Sequence, residues 1–461
     1  MGRIRLTLQD IFNIPTAVIF NPDNYNPVTA VTIDSRNVSS NSLFVAIKGE
    51  RFDGHDFVKE AVKKGASCVM VEEKKYQNFA DVKVAVVTVN DTTIALGDIA
   101  KCWRNKLNAK VIGITGSAGK TSTKEIMASL LGERFKVNKT KANNNNNIGV
   151  PLTILDTNSK HEVLVIEMGT NHFGEISYTA NIAQPDYALI TNIGSSHLEF
   201  LRNKKGVLKE KIALFETTAS LGGTIFVNND DALLKSASKK YSQKISFGFD
   251  KSADVKGKIA EYNKEGRPEI ELKYKNKILK ADFPLYGEGN AKNYLAAAAV
   301  SFELGLNKRQ IISGTAKLKA YNKRLNVREI KNVLLIDDTY NANPDSMKYS
   351  LNLLGRIQTK SRKIAVLGDM FELGADGPKL HKALAAVIKR NKVDEVYTVG
   401  PLMKNLAEAV KSSVNKTKHF RTRKSLENYL LKLNFSDAAV LVKGSRGMKM
   451  EEFVKVIEAG L

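Results

Sequence analysis

The sequence predicts an α/β protein of three domains, each built around a sheet fed by alternating strands and helices. Three observations lead there. The 461 residues divide into about three units at ~150 residues per domain. Compact apolar runs alternate with helical spacing through most of the chain, the pattern of parallel sheets covered on both faces. The texture changes twice, near residues 106 and 320. Apolar residues make up 43% and charged residues 26%, so the chain is neither disordered nor fibrous.

Residues 1–106 read as a small α/β domain. Strands are expected at Ala30–Ile33, Ser42–Ile47, Ser67–Val71 and Val84–Val89, with a helix over Asp56–Lys64. A second helix, Thr92–Lys106, leads out of it. Residues 107–319 open on a β-run, Lys110–Thr115, then a glycine turn and a helix over Lys120–Gly132. Further strands are expected at Val163–Glu167, Tyr187–Thr191 and Gly223–Val227, with a helix at Lys204–Phe215. From Lys244 to Pro284 the runs Lys256–Tyr262, Glu269–Tyr274 and Lys277–Phe283 alternate in charge, which predicts a small antiparallel sheet with Gly266 in a turn. The Ala-rich Asn290–Leu304 follows as a helix. Residues 320–461 repeat the doubly wound pattern. Its strands are Val333–Ile336, Lys363–Gly368, Glu395–Val399 and Ala438–Val442; its helices are Ser346–Leu354, Pro378–Lys389, Leu402–Lys411 and Lys424–Leu433.

Charge and cysteine content narrow the chemistry. Lys and Arg number 71 against 48 Asp and Glu, a net charge of +23. That suits a lysine-coated surface, polyanionic substrates or nucleic acid. The basic residues are scattered and form no basic tail. The two cysteines, Cys68 and Cys102, have no zinc or iron–sulfur spacing, and a reducing compartment is expected. No run is apolar enough for a signal peptide or a transmembrane helix.

The strongest local motif is Val111-Ile-Gly-Ile-Thr-Gly-Ser-Ala-Gly-Lys-Thr121, in which a strand enters a glycine turn and Lys120-Thr121 opens a helix. Backbone N–H groups of such a turn cradle phosphate at a helix N-terminus. Lys120 would reach the β/γ-phosphates and Thr121 would hold Mg2+. Ile114 stands where the general phosphate-loop pattern has Gly. Glu167 ends a buried run at the strand edge where ligands gather. His197 follows another strand, and a lone His there is more often structural. Nothing in the spacing singles out Lys211. Asp337-Asp-Thr-Tyr-Asn-Ala-Asn-Pro344 is either a polar binding turn or an ordinary Asx-rich loop. Gly368–Gly374 and Lys443–Arg446 also leave strands, which suggests a crevice facing the phosphate loop.

Taken together and in this order, the motifs resemble the Mur ligase family over essentially the whole chain. Thr115–Thr121 is similar to its shortened ATP loop, and Thr140-Lys-Ala-Asn-Asn-Asn-Asn-Asn-Ile-Gly-Val-Pro151 to its Asn-rich substrate stretch. The resemblance implies ATP bound by Gly116, Ser117, Ala118, Gly119, Lys120, Thr121 and Ser122. Asn290 and Asn293 fall on the adenine side, Arg324 near the γ-phosphate and Asp338 at the ribose. It implies Mg2+ at Thr121, Glu167, His197 and a carbamoylated Lys211. Lys120, Glu167, His197, Lys211 and Arg324 are then the catalytic set. Asp34-Ser-Arg36, Lys48 and Gly49 resemble a UDP-sugar site; Asn143, Asn145, Asn146, Tyr340, Asn341 and Asn343 fall at peptide-substrate positions. Three positions depart from the family pattern: Ser122 stands where many members have Thr, Gly289 where His is common, and Ala213 where Glu is frequent two residues after the lysine.

The Tyr340–Pro344 and Gly368–Gly374 motifs resemble the branch that adds a dipeptide. This implies a small UDP-sugar domain, a central ATPase domain and a Rossmann-like C-terminal domain. The implied reaction joins D-Ala-D-Ala to UDP-N-acetylmuramoyl-tripeptide through an acyl phosphate, for peptidoglycan synthesis. A cytoplasmic monomer is expected, with small-molecule substrates, no nucleic acid and no membrane insertion. Alternative readings are a sister amide ligase of the family, a folylpolyglutamate synthetase, a nucleic-acid-stimulated ATPase and a non-catalytic binding module.

Overall fold

The computed structural model describes residues 4–461. Three sheets organise it. The first contains β1 (Val18–Phe20), β2 (Ala30–Thr32), β3 (Ser42–Val45), β4 (Ala66–Glu72) and β5 (Ala85–Val89), in the order β1-β5-β4-β3-β2. All its pairings are parallel except β1 with β5. β3 and β5 are buried along their whole length, as expected for Val-rich strands covered on both faces. The expected helix at Asp56–Lys64 is a 3-10 turn, Gly54–Phe57, followed by the α-helix Val58–Lys63.

The helix Thr92–Arg104 fastens this domain to the next one. Asp91 caps its start by accepting from the Thr93 and Ile94 amides. Its buried face, with Leu96, Ile99 and Trp103, joins one continuous apolar core with the central domain. The Trp103 Nε1–H donates to the Thr157 carbonyl at 2.8 Å, and Arg104 donates to the Ala183 and Gln184 carbonyls.

The central sheet has nine strands: β6 (Lys110–Thr115), β7 (Val137–Lys139), β8 (Val163–Glu167), β9 (Tyr187–Ile190), β10 (Thr224–Asn228), β11 (Lys244–Gly248), β12 (Val255–Tyr262), β13 (Pro268–Tyr274) and β14 (Lys277–Ala281). Their order is β14-β13-β12-β11-β10-β9-β6-β8-β7. From β7 to β11 every pairing is parallel. The antiparallel strands β12–β14 continue from the edge of this sheet. They attach through only two residue pairs, Phe247 with Val255 and Gly248 with Lys256. Gly266 takes φ +87° between β12 and β13, the conformation expected of a glycine turn.

The C-terminal sheet contains β15 (Asn326–Ile330), β16 (Val333–Asp337), β17 (Arg362–Gly368), β18 (Glu395–Val399), β19 (Lys416–Phe420) and β20 (Ala438–Lys443), ordered β15-β16-β20-β17-β18-β19. β15 is antiparallel to β16 and the rest are parallel. The expected helix at Pro378–Lys389 is two shorter ones, Gly377–Lys382 and Leu384–Arg390, which meet at Ala383. Among the described residues no helix is long and apolar enough to cross a membrane.

Candidate active site

β6 delivers the chain into the phosphate loop. Gly116 and Gly119 take φ +149° and +82°. A Cβ at Gly116 would strike Thr191 Oγ1, and one at Gly119 would strike Asn293 Oδ1. Only glycine satisfies both the backbone and the space. The loop after β9 laces the turn in place. Asn192 Oδ1 accepts from Ala118 N at 3.0 Å, and Thr191 Oγ1 donates to the Ala118 carbonyl at 2.6 Å. The Ser117 hydroxyl accepts from Gly194 N at 2.9 Å. The helix Lys120–Leu131 starts directly from Gly119, so its free N–H groups and dipole face the loop.

Lys120 bends back and donates to the Gly116 carbonyl at 2.8 Å. Its pKa is lowered by burial and by Arg324, while Glu167 and Glu372 oppose the shift. Thr121 Oγ1 lies 3.0 and 2.9 Å from the two oxygens of Glu167, which is buried at the end of β8. Asn145 Nδ2 donates to Glu167 Oε1 at 2.9 Å. The fully buried Lys124 lies 3.5 Å from Glu167 Oε2 and donates to the Thr140 and Ala142 carbonyls. One lysine therefore anchors both the carboxylate and the Asn-rich loop. Among the described residues no three His, Cys, Asp or Glu side chains gather as a metal cluster. Mg2+ held mostly by substrate phosphate needs only one or two carboxylates.

His197 sits in the left-handed region at φ +52°, a strained setting for a non-glycine residue. Its Nδ1 lies 2.6 Å from Glu372 Oε2 of the C-terminal domain. That contact orients the ring and leaves Nε2 without a hydrogen-bond partner among the described residues. Lys211 is fully buried and does not line the cleft, and its Nζ has no hydrogen-bond partner among the described residues. Burial, reinforced by Lys120 and opposed by Glu210, lowers its pKa far below the usual value. Beside it Glu210 is engaged at both oxygens. It accepts from Gly174 N at 2.7 Å, Ile176 N at 2.8 Å and Thr170 Oγ1 at 3.1 Å.

The C-terminal domain closes the cleft. Asn343 Nδ2 donates to the Ser117 carbonyl at 2.9 Å, and Asp345 accepts from Ser195 N at 3.2 Å. Arg324 stacks on Tyr340, 3.7 Å from the ring centroid. Asp338 is not free: it accepts from Lys443, from the Ser350 hydroxyl at 2.6 Å and from Leu325 N at 3.0 Å. Asn341 Oδ1 accepts from Arg446 N at 3.2 Å. The resulting cleft has a volume of about 980 Å³. Ser117 to Ser122, Glu167, His197, Asn290, Asn293, Arg324, Asp338, Tyr340, Asn341 and Asn343 all line it. So do Asn143 and Asn145.

Several expected residues lie elsewhere. Asn146 Oδ1 accepts from the Gly149 amide at the start of the helix Gly149–Leu155, and Asn146 is not in the lining. Asp34, Ser35, Arg36, Lys48 and Gly49 are also outside it. They occupy turns after β2 and β3, parallel neighbours whose C-terminal ends share one sheet edge. Arg36 there holds the Asp34 carboxyl down to about 2. Lys124, Asn192, Glu210, Asp345, Glu372 and Lys443 were not expected. Glu372 and Lys443 belong to loops already notable for leaving strands. Lys124 and Glu210 fall in no motif that would single them out.

Three family models match this chain: the Mur ligase family catalytic domain over residues 27–104, the Mur ligase middle domain over 114–301, and the Mur ligase glutamate ligase domain over 323–446. The chain belongs to the Mur ligase family. It is 34% identical to the UDP-N-acetylmuramoyl-tripeptide–D-alanyl-D-alanine ligase of Bacillus subtilis, across 99% of this chain and 100% of that one. The Escherichia coli enzyme of the same name is 35% identical over 93% of each chain. Among solved structures, MurF from Acinetobacter baumannii superposes with a TM-score of 0.89 at 31% identity, covering 100% of both chains. MurF ligase from Thermotoga maritima in complex with ADP gives 0.82 at 30% identity, covering 94% of this chain and 97% of that one. The three-domain fold expected from the sequence is the fold of these relatives.

Proposed function

We propose that this Mur ligase joins D-alanyl-D-alanine to UDP-N-acetylmuramoyl-tripeptide at the expense of ATP, forming the pentapeptide precursor of peptidoglycan. The observation that carries the reading is a phosphate loop, a buried Thr121–Glu167 pair and two C-terminal loops converging in one cleft, in a chain similar from end to end to ligases of that name. Domain boundaries near residues 106 and 319 fit the three sheets.

The substrate carboxylate attacks the γ-phosphorus and ADP leaves, giving an acyl phosphate. The D-Ala-D-Ala amine then attacks the acyl carbon, inorganic phosphate leaves, and the amine proton passes to solvent. Residues 116–122 hold the phosphates through backbone N–H groups, and Lys120 turns from the Gly116 carbonyl to the transferring group. Arg324 adds a second positive charge from the closing domain. Its Nε is buried and free of hydrogen bonds among the described residues. Lys443 holds Asp338 at the ribose end. Asn143, Asn145, Tyr340, Asn341 and Asn343 contact the peptide substrates, while Asp34–Arg36, Lys48 and Gly49 take the UDP-sugar. Asn146 supports its loop.

Thr121 and Glu167 fit Mg2+, because two hard oxygen donors already face each other at 2.9 Å. Lys211 fits carbamoylation, because burial favours the uncharged amine, the form that adds CO2, and its Nζ lacks a partner among the described residues. With the open Nε2 of His197, that carbamate would hold a second Mg2+. Bound there, Mg2+ neutralises charge as two anions approach. A monomer working in the cytoplasm, where ATP is available, is consistent with this reading. The +23 charge is matched to a diphosphate, a triphosphate and substrate carboxylates.

Coupled phosphate release with D-Ala-D-Ala, against a panel of UDP-muramoyl peptides, tests this. The expected result is phosphate release that needs both substrates, with the pentapeptide seen by mass spectrometry. Release indifferent to D-Ala-D-Ala would overturn the reading.

A further inference from the structure

Gly289 leaves a gap in the first turn of the helix Gly287–Glu303, and a residue from another domain fills it. The place a Cβ would occupy faces Tyr349, whose Cγ, Cβ and Cδ2 are 3.4, 3.6 and 3.7 Å away. Tyr349 comes from the helix Pro344–Arg356 of the C-terminal domain, which packs along the helix Gly287–Glu303. One turn on, Lys292 Nζ lies 3.3 Å from the Tyr349 hydroxyl and 5.3 Å from its ring centroid, and pairs with Glu288 at 2.9 Å. The ring is thus set against the helix at its root and its tip, yet it stays half-buried and lines the cleft.

The helix the ring lies against carries Lys292 and two amide side chains, all of which line the cleft. Asn290 and Asn293 line the cleft on the same helix, with Asn293 Oδ1 against Gly119 of the phosphate loop. Phe247 on β11, which packs on that helix, and Leu295 add apolar lining. An aromatic face beside apolar walls is a surface on which a purine stacks.

We propose that Tyr349 contacts the base of the bound nucleotide, in place of a side chain that position 289 lacks. The inference rests on the ATP reading above and adds that the base is gripped from two domains at once. Nucleotide binding then favours the closed arrangement, because the two helices meet at the base.

The test is direct ADP binding by calorimetry with no acceptor present, alongside steady-state kinetics. Thermal melting monitors folding. Tyr349→Ala and Tyr349→Leu are expected to bind ADP about tenfold more weakly, the loss of one base–aromatic contact. KM for ATP should rise in step while kcat and KM for D-Ala-D-Ala hold. Tyr349→Phe should bind like the parent, since the ring and not the hydroxyl makes the contact. Gly289→His alone should also weaken ADP, because an imidazole must displace the ring. Gly289→His with Tyr349→Ala should recover most of the affinity. Unchanged ADP affinity in both Tyr349→Ala and Tyr349→Leu would overturn the proposal, as would a double variant no better than the worse single one. A parent protein that binds ADP but makes no pentapeptide would sink the reaction assignment alone, and these variants would still decide the role of Tyr349.

Discussion

Replacing Glu210 with Ala should loosen the segment that carries the site from β8 into the helix Glu175–Ala183. The Glu210 carboxylate is buried and accepts three hydrogen bonds, two of them from the Gly174 and Ile176 amides at that helix's N-terminus. Bonds to a charged acceptor contribute about 1.5–3 kcal/mol each, and a buried donor left unpaired costs about 1–3 kcal/mol. The helix dipole adds a further ~0.3–1 kcal/mol for an anion at this end. These contributions overlap, so the expected local loss is about 3–5 kcal/mol, the range seen when one partner of a buried charged contact is removed. At 1.4 kcal/mol per tenfold, opening of this segment becomes on the order of a hundredfold or more easier. Native-state hydrogen exchange at the Gly174 and Ile176 amides reads it directly. Glu210→Gln, which keeps one acceptor oxygen, should show a smaller effect. Acceleration of less than about tenfold in Glu210→Ala would mean that the three bonds do not hold the segment.

Lys120→Ala should reduce substrate-dependent phosphate release by on the order of a thousandfold, because a charge aimed at the transferring phosphate is lost; release at the parent rate would refute the phosphate-loop role. Lys211→Ala should be inactive and partly rescued by short carboxylic acids that replace the carbamate. Failure of every such acid to rescue would count against carbamoylation. His381 is buried, accepts from Met370 N at 2.9 Å and lies 2.7 Å from the Gly377 carbonyl. Burial lowers its pKa from 6.5, against the Gly377 bond and Asp369. Below about pH 6.5 the unfolded chain therefore binds a proton that the folded one refuses, so stability falls as the pH drops. Protection of the Met370 amide should decline over that window in the parent and stay flat in His381→Gln, and equal slopes would disprove the link.

The buried parallel strands were legible because they are short, unbroken apolar runs. Val163–Glu167 is such a run, and it matches β8 end to end. Four of the strands the sequence hid, β1, β7, β15 and β19, lie at sheet edges, while β11 lies inside the central sheet. β7 is Val-Asn-Lys and β19 is Lys-Thr-Lys-His-Phe, and edge strands of that kind carry charge that guards against unwanted pairing. The phosphate loop was legible since its chemistry lies within a few residues. The contacts that complete the site were not, because Asn343 meets Ser117 across 226 positions of chain. Neither Lys124 nor Glu210 belongs to a motif that would mark it. Only the packed structure shows that each is buried against backbone groups that need it.

The same long reach governs when the protein becomes active as it is made. Translation yields the chain from the N-terminus, and domains fold largely in that order. The phosphate loop is complete early, but Asn343 and Arg324 emerge only with the third sheet, and Lys443 sits on β20, the last of its six strands to be synthesised. β20 lies between β16 and β17, so that sheet cannot close until its final strand inserts. A ribosome-bound chain halted before β20 would hold a shaped phosphate loop with no opposing wall, and so could not spend ATP.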